Sequence, residues 1–474
     1  MYCQLKLGVA PTRRDIFSKE NALLYKEKTF EKLTKMEIPF VNIDTINEEG
    51  LLFRDADVER VIALFVAEKV DALFFPHCNF GSEDLVCKVA AALKLPVLIW
   101  GPRDEAPLSD GARLRDSQCG LFATGKILRR FNTPFSYIPN CRLEDRSFAR
   151  GMDTFLRAAS VIRAMKGLRI LQIGPRPEGF WTMMCNEGEI LERFGIQVTP
   201  VPMTELLVRV NQLIARPTEA LRRCISDIHQ HWDVTVPETD VLRIAALKET
   251  IEGLVKEKGC RAACIQCWNS LQDVLGMMPC MANSMLFSMG IPVTCETDIH
   301  GAITCVMAQA TAMGESDVLF ADWTVRHPTN PNGELLQHCG PFPRSLAKQG
   351  TKPQLGRPFA FEDHCPGACV FELKRGDLTM LRFDGDHGKY RLLLGEAKVI
   401  DGPFNNGTYG WIEVKDWLRL EEMIVRGPYV HHVVGVYGHY MPALREACRY
   451  LPQITLDLYD PGVDEAMDTW LREE

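Results

Sequence analysis

Residues 291–327 read IPVTCETDIHGAITCVMAQATAMGESDVLFADWTVRH, and they decide the fold class. The segment begins with a short apolar strand, continues as a helix with apolar residues three or four positions apart, and ends in a second apolar strand. A strand, helix and strand of this length form a crossover unit, in which the two strands run parallel and a helix covers the sheet. The segment therefore predicts an α/β sheet with parallel strands.

Similar units precede this segment along the chain. In residues 1–165, short apolar stretches alternate with helical patterns such as those at 57–69 and 82–93. After a long helical pattern at 144–165, a second series of the same kind occupies residues 166–345. Each series predicts a doubly wound domain, in which helices cover both faces of a parallel sheet. The predicted strands are 5–10, 39–43, 72–75, 97–100 and 135–138 in the first domain, and 169–173, 198–202, 262–266, 291–295 and 318–321 in the second.

The sequence pattern changes after about residue 345. Residues 346–474 contain short segments of alternating apolar and polar residues, separated by glycine, proline and Gly-Asp turns. A period of two is typical of antiparallel strands, and helical patterns interrupt these strands at 413–420 and 441–450. The predicted fold class is α/β, with two doubly wound parallel-sheet domains followed by a β-rich, barrel-like C-terminal domain.

Composition narrows the classes of protein that the chain can belong to. Its 474 residues are 46% hydrophobic and 24% charged, which is typical of a globular chain with several domains. The net charge of −8 comes without a basic block, so no nucleic-acid partner is expected. No apolar run approaches the ~20 residues that cross a bilayer, so no membrane partner is expected. The first residues lack the order of a signal peptide, so we expect a cytoplasmic location. Seventeen cysteines over this length indicate mainly buried thiols.

Two carboxylates stand out in the segment that decides the fold. Glu296 follows the first strand of that segment, and Asp322 follows the second. If the two strands are parallel neighbours about 5 Å apart, both side chains emerge at the carboxyl edge of one sheet. Converging carboxylates bind a divalent cation or share acid and base work. The alternative is that both are solvated acids in loops.

Histidines later in the chain are candidate nitrogen ligands. His338 follows the turn-rich segment HPTNPNG, which could lead the chain back over the sheet edge. His431 and His432 lie in a Val- and Tyr-rich predicted strand, where neighbouring side chains face opposite sides. We expect His432 to point into the site and His431 to contact the substrate. Each histidine could instead be structural or exposed.

The set of donor atoms indicates which cation such a site would prefer. Two carboxylates and two imidazoles, with no thiolate, suit Mn²⁺ or Mg²⁺ better than structural zinc. Open coordination positions can hold two adjacent oxygens of an open-chain sugar and polarise the C–H bond beside its carbonyl group. A neighbouring carboxylate can then move the proton.

The order of these motifs resembles that of the L-fucose isomerase and L-arabinose isomerase family. CETD, FADWT, a histidine after a short loop and a late His-His pair follow one another as they do in that family. The resemblance implies that Glu296 and Asp322 bind the metal and exchange the proton, with His338 and His432 as further ligands. Asp322 is similar to the fucose branch, whereas His338 and the His-His pair are similar to the arabinose branch.

The resemblance also implies a function and an assembly. It implies conversion of an aldose to its ketose through an enediol, with Mn²⁺ as cofactor and Mg²⁺ or Co²⁺ as substitutes. It further implies a hexamer in which the first domain reaches into a neighbour's site. We therefore expect a metal-dependent aldose–ketose isomerase that acts on an open-chain pentose, hexose, 6-deoxyhexose or anionic 6-substituted hexose. The alternatives are a non-catalytic cytosolic sugar-binding protein of the same fold and a different reaction on a related polyhydroxy substrate.

Five further residues are predicted to contact the sugar. The resemblance implies this role for Arg13, His77 and Asn79, which follow strands of the first domain. Gln266 and Trp268 lie beyond a strand of the second domain, where an amide and an indole can orient a sugar. Each of the five could equally be a turn or packing residue.

Other signals in the sequence are less specific. Cys264 and Cys267 form a CxxC pair, which would suit a redox or thiolate-metal protein, but chance pairs are expected among seventeen cysteines. The segment GPRPEGF lacks a phosphate-loop pattern, although it could lie near the sugar. Arg326, Arg344 and Arg382 could bind an anionic group on the sugar, but we expect them to be surface arginines.

Overall fold

A computed structural model describes residues 5–358 and 365–460 of the chain. They form two compact units, which are the N-terminal unit (residues 5–163 and 442–452) and the barrel unit (residues 164–441 and 453–460). No helix within the described ranges is long and apolar enough to span a membrane. The division into three domains at residues 165 and 345 stays a prediction.

The N-terminal unit is a doubly wound α/β domain, in agreement with the sequence pattern. Its strands are β1 (Leu7–Val9), β2 (Phe40–Val41), β3 (Ala72–Pro76), β4 (Val97–Trp100) and β5 (Ser136–Tyr137), and its helices are α1 (Lys19–Lys35), α2 (Val58–Ala67), α3 (Glu83–Leu93), α4 (Ser117–Arg130) and α5 (Arg146–Met165). The strands are parallel, in the order β2-β1-β3-β4-β5. Leu73 and Phe75 pack in one apolar cluster and Ala72 and Phe74 in another, so both faces of the sheet are buried.

Helix α4 packs so closely against the loop after β3 that Gly120 leaves no room for a side chain. A Cβ atom at this position would overlap the carbonyl oxygen of Phe80, which is backbone and cannot rotate away. We expect Gly120→Ala to lower the free energy of unfolding by about 3 kcal/mol, measured by chemical denaturation. Gly125→Ala in the same helix is the control, because its Cβ would meet only the far end of the Phe135 ring, at 3.3 Å. We expect a change of under about 1 kcal/mol there, and equal losses in both variants would contradict this explanation.

The barrel unit begins with a second parallel sheet. The first strands of the barrel unit are β6 (Arg169–Ile173), β7 (Gln197–Val201), β8 (Asp233–Val234), β9 (Ala262–Ile265) and β10 (Val293–Thr294). The first helices of this unit are α6 (Glu187–Phe194), α7 (Met203–Ala215), α8 (Glu219–His231), α9 (Glu238–Glu257), α10 (Ser270–Leu275), α11 (Cys280–Ser288) and α12 (Ile299–Ala312). Four strands form the sheet in the order β10-β9-β6-β7, and all its pairs are parallel. Every residue of α12 is buried, which explains why this helix is apolar on all sides.

A closed barrel of antiparallel strands completes this unit and confirms the predicted fold class. The remaining elements of this unit are β11 (Val318–Arg326), β12 (Gly333–His338), β13 (Gln354–Gly356), β14 (Ala368–Glu372), β15 (Gly376–Asp386), β16 (Lys389–Ile400), β17 (Thr408–Glu413), β18 (His432–Tyr437) and β19 (Ile454–Leu458), with helix α13 (Trp417–Arg426). Helix α14 (Met441–Arg449) belongs, apart from its first residue, to the N-terminal unit. The ring runs β16-β15-β18-β11-β12-β17 and closes where β17 pairs with β16. Helix α12 packs on both the parallel sheet and the barrel.

The predicted parallel pairing of the two strands in residues 291–327 is wrong. Strand β10 belongs to the parallel sheet, whereas β11 lies in the barrel and pairs antiparallel with β12 and β18. Asp322 consequently lies inside β11 rather than beyond its end, and it pairs with His432. A short apolar stretch such as the start of β11 suits either kind of sheet, so its periodicity could not identify its partner.

Candidate active site

Four side chains singled out from the sequence converge inside the barrel unit. Glu296 follows β10, Asp322 lies in β11, His338 is the last residue of β12, and His432 is the first residue of β18. His432 Nε2 lies 3.5 Å from Glu296 Oε2 and 3.5 Å from Asp322 Oδ1. His338 Nε2 lies 3.9 Å from Glu296 Oε2. The meeting of the parallel sheet with the barrel, and not a shared sheet edge, brings these groups together.

Three of these groups each present a buried polar atom that lacks a hydrogen-bond partner among the described residues. The atoms are Glu296 Oε2, Asp322 Oδ1 and His338 Nε2. A buried polar atom without a partner costs about 1–3 kcal/mol, so a native fold rarely keeps three in one place unless something binds there. Glu296, His338 and His432 offer donor atoms within 4.8 Å of one another, and so do Asp322, His431 and His432. The two groups share His432, and their oxygen and nitrogen atoms are donors that suit a divalent cation.

Glu296 is held in an unusual backbone conformation, and two donors fix one of its two carboxylate oxygens. Its φ is 51° and that of Thr297 is 61°, which is the left-handed region that residues with a Cβ seldom adopt. The indole Nε1 of Trp268 donates to Glu296 Oε1 at 3.0 Å, and the thiol of Cys267 donates to the same oxygen at 3.2 Å. These two donors leave Oε2 directed toward His338 and His432.

A buried network of charges supports His432 from behind. His432 Nδ1 donates to Asp298 Oδ2 at 2.7 Å, and Asp298 also pairs with Arg382 and accepts from the backbone N–H of Gly301 at 2.7 Å. Burial works against the charge of Asp298, but Arg382 and His432 outweigh it and hold the pKa of this carboxyl below its usual range. Arg382 pairs in addition with Asp384 at 2.7 Å. Asp298 therefore stays ionised and fixes the orientation of the imidazole.

The expectation that Arg382 is a surface arginine is wrong. Its side chain is 1% exposed, and its charge is balanced by Asp298 and Asp384, so it does not need water. Arg326 and Arg344 are exposed, as expected. Asp298 also supports the site, although its only visible signal in the sequence was that of a capping aspartate at the start of a helix.

The negative charge of Asp322 is only partly balanced by the neighbouring side chains. Burial raises the pKa of Asp322 to about 7, and the nearby carboxylates Glu296 and Asp298 add to the rise while His432 opposes it. A bound cation would supply the missing positive charge. His431 is exposed beside this group, with its ring centroid 4.4 Å from that of His432.

The predicted sugar contacts in the parallel sheet of the barrel unit lie beyond β9. Trp268 is half-buried, donates to Glu296 and faces Phe180 with a ring-centroid distance of 5.8 Å. Gln266 is half-buried and accepts from Ser270 Oγ at 3.5 Å. The segment GPRPEGF is linked to this region, because Thr297 Oγ1 donates to the carbonyl of Pro175 at 3.1 Å.

The three predicted contacts in the N-terminal unit are engaged within that unit. Arg13 is buried and pairs with Glu49 at 2.6 Å. His77 is fully buried and bonded to Thr124 Oγ1 at 2.8 Å, and burial lowers its pKa to about 4. The side chain of Asn79 accepts from the backbone N–H of Arg14 at 2.8 Å and thereby supports the loop after β1. Their contact with sugar stays a prediction.

Comparison with protein families gives two matches in succession along the chain. A model described as "Fucose/sulfoquinovose isomerase, N-terminal domain" matches residues 8–166. A model described as "L-fucose isomerase, C-terminal domain" matches residues 336–457, which include His338 and His432.

Individual proteins that share the name sulfoquinovose isomerase also match most of the chain. A protein named sulfoquinovose isomerase from Priestia aryabhattai is 26% identical over 463 residues, covering 93% of this chain and 96% of the relative. One from Alkalicoccus urumqiensis is 25% identical over 406 residues, covering 83% and 87%. One from Clostridium sp. (strain MSTE9) is 24% identical over 379 residues, covering 77% and 81%.

Proposed function

Because the chain belongs to the L-fucose isomerase family and is a sugar isomerase, we propose that it interconverts an aldose and its ketose with the help of a divalent cation bound between the sheet and the barrel. The main support for the cation is that two buried carboxylate oxygens, Glu296 Oε2 and Asp322 Oδ1, have no hydrogen-bond partner among the described residues and lie beside His432 Nε2. One cation would satisfy them all at once.

The chemistry of the donor atoms supports Mn²⁺ as the cation, with Mg²⁺ or Co²⁺ as substitutes. Carboxylate oxygens and an imidazole nitrogen are donors that Mn²⁺ accepts in an octahedral site with open positions. The nearest thiol, that of Cys267, donates to the other oxygen of Glu296. Burial raises the pKa of this thiol well above its ordinary value, which favours the neutral thiol that donates to Glu296 Oε1.

The proposed reaction is a proton transfer between the first two carbons of the open-chain sugar. A cation held by Glu296, Asp322 and His432 would polarise the sugar's carbonyl group and so make the proton on C2 more acidic. One of the carboxylates Glu296 and Asp322 takes the C2 proton and returns it to C1, so the bond order between C1 and C2 rises in the enediol and falls again. The other carboxylate moves a proton between the two oxygens. Trp268 holds Glu296 in place throughout.

We propose sulfoquinovose, a hexose with a sulfonate at C6, as the substrate to test first. The names of the relatives described above support this choice, and it falls within the class of anionic 6-substituted hexoses. We also propose the hexamer and the cytoplasmic location that the family resemblance implies; light scattering would read the mass of six chains.

Product analysis with controlled metal content tests the proposed function. The protein is stripped with a chelator and offered pentoses, hexoses, 6-deoxyhexoses and sulfoquinovose, with and without added Mn²⁺. We expect ketose to form from one sugar only when Mn²⁺ is present, and solvent deuterium to appear in the product, since an enediol exchanges its proton. Turnover that survives metal removal would contradict the proposed cation. Sugar binding without any conversion would favour the non-catalytic alternative.

A further inference from the structure

We propose that His338 donates a hydrogen bond to the sugar through Nε2–H and is not a ligand of the cation. This inference rests on the proposed function and revises the expectation that His338 is a metal ligand. It assigns opposite proton positions to the two histidines that border the site, His338 and His432.

The hydrogen bond that His338 makes with the backbone determines where its proton lies. The backbone N–H of Cys339 donates to His338 Nδ1 at 2.9 Å. A backbone N–H can only donate, so Nδ1 must be the nitrogen without a proton. The proton of the neutral ring is then on Nε2, and this nitrogen has no lone pair to give to a cation. Moving the proton to Nδ1 would set two N–H groups against each other.

His432 has the opposite arrangement. Its Nδ1 lies 2.7 Å from Asp298 Oδ2, and this carboxylate also pairs with Arg382 and accepts from the backbone N–H of Gly301, so it is the acceptor and the proton is on Nδ1. Nε2 of the neutral ring then has no proton, and its lone pair is available to a cation. The ligands of the cation would be Glu296, Asp322 and His432, which leaves open positions for two sugar oxygens.

The Nε2–H of His338 still needs an acceptor. His338 is 6% exposed, and its Nε2 has no hydrogen-bond partner within residues 5–358 and 365–460. The nearest carboxylate oxygen, of Glu296, is 3.9 Å away, which is too far for a hydrogen bond. A sugar oxygen in this space would satisfy the donor. Because negative charge grows on the oxygens when the C2 proton leaves, a neutral imidazole donor there would stabilise the transition state.

Electron spin echo spectroscopy of the Mn²⁺-loaded protein, prepared with ¹⁵N-labelled histidine, counts the imidazole nitrogens on the metal. We expect one coordinated histidine in the unaltered protein, the same single signal in His338→Ala, and no signal in His432→Ala. The dissociation constant for Mn²⁺ should change by less than about threefold in His338→Ala and rise at least about 100-fold in His432→Ala. In His338→Ala, kcat/KM should fall about 10²- to 10³-fold, since a donor to the developing charge is lost.

The result for the unaltered protein separates this inference from the proposed function and does not depend on how any variant folds. Two coordinated histidines, or a loss of Mn²⁺ affinity in His338→Ala as large as in His432→Ala, would overturn the inference and leave the proposed function standing. An unaltered protein that binds no Mn²⁺ would overturn both. His338→Gln provides a second variant, because its amide can donate; partial recovery of kcat/KM relative to His338→Ala is expected, and equal activity in the two would contradict a donor role.

Discussion

Glu296→Gln is expected to lower kcat/KM for sugar isomerisation by about 10⁴-fold. The change removes one negative charge and one proton acceptor but keeps the shape of the side chain. The amide oxygen can still accept from Trp268, so the left-handed backbone at this position should persist. Steady-state kinetics with the sugar identified by product analysis, together with a titration of Mn²⁺ affinity, would measure both consequences. Both activity and affinity should fall.

The matched control for this variant is Glu334→Gln. Glu334 is also a buried glutamate in the barrel unit, and burial raises its pKa to about 7, so its side chain is partly neutral in the native protein near that pH. Its nearest charged partner is Arg326 at 3.9 Å, outside the proposed site. We expect kcat/KM within about threefold of the unaltered value. Near-normal turnover in Glu296→Gln would contradict the role assigned to Glu296.

His432→Gln is the second substitution with a large expected effect. It removes a proposed nitrogen ligand and leaves Asp298 and Arg382 without the imidazole between them and the cation. Mn²⁺ affinity should fall at least about 100-fold, and isomerisation should fall with it. Asp298→Asn should give a graded loss of about 10- to 100-fold in affinity, because the ring keeps its ligand atom but loses its fixed orientation. Isothermal titration with Mn²⁺ compares the two variants directly.

An exposed histidine provides the control for His432→Gln. His439 lies just beyond β18, and its side chain is 64% exposed. His439→Gln should bind Mn²⁺ as the unaltered protein does. If His432→Gln kept full Mn²⁺ affinity while folding normally, His432 could not be a ligand and the proposed site would be wrong.

The fold was largely predictable from local patterns. The predicted strand at 97–100 coincides with β4 (Val97–Trp100), because an apolar run bounded by turn residues suits a strand buried on both faces. The predicted helix at 413–420 overlaps only the start of α13 (Trp417–Arg426). Residue 413 still belongs to β17, and the side chain of Asp416 caps the helix by accepting from the backbone N–H of Arg419. The pairing of β17 with its neighbours in the barrel therefore determines where the strand ends and the helix can begin.

The site was predictable to the extent that motif order indicated it. Glu296, Asp322, His338 and His432 do meet, but for a reason that local periodicity did not contain. Asp322 pairs with His432 across more than a hundred residues of chain, and such pairing in a barrel depends on the closure of the whole ring.

The support behind the site was harder to find from the sequence. Arg382 looked like a surface residue because arginines usually are exposed, and only the arrangement of Asp298 and Asp384 around it makes burial tolerable. Likewise, Cys267 belonged to a pair that suggested redox chemistry, whereas its thiol lies against the carboxylate of Glu296.

Anomalous diffraction at the manganese edge, from crystals of the protein loaded with Mn²⁺, would test the central claim most directly. The expected result is one peak in the barrel unit within about 2–2.5 Å of Glu296 Oε2, Asp322 Oδ1 and His432 Nε2. A peak elsewhere on the chain, or no peak after saturation with Mn²⁺, would contradict the claim that these groups hold the cation that isomerises the sugar.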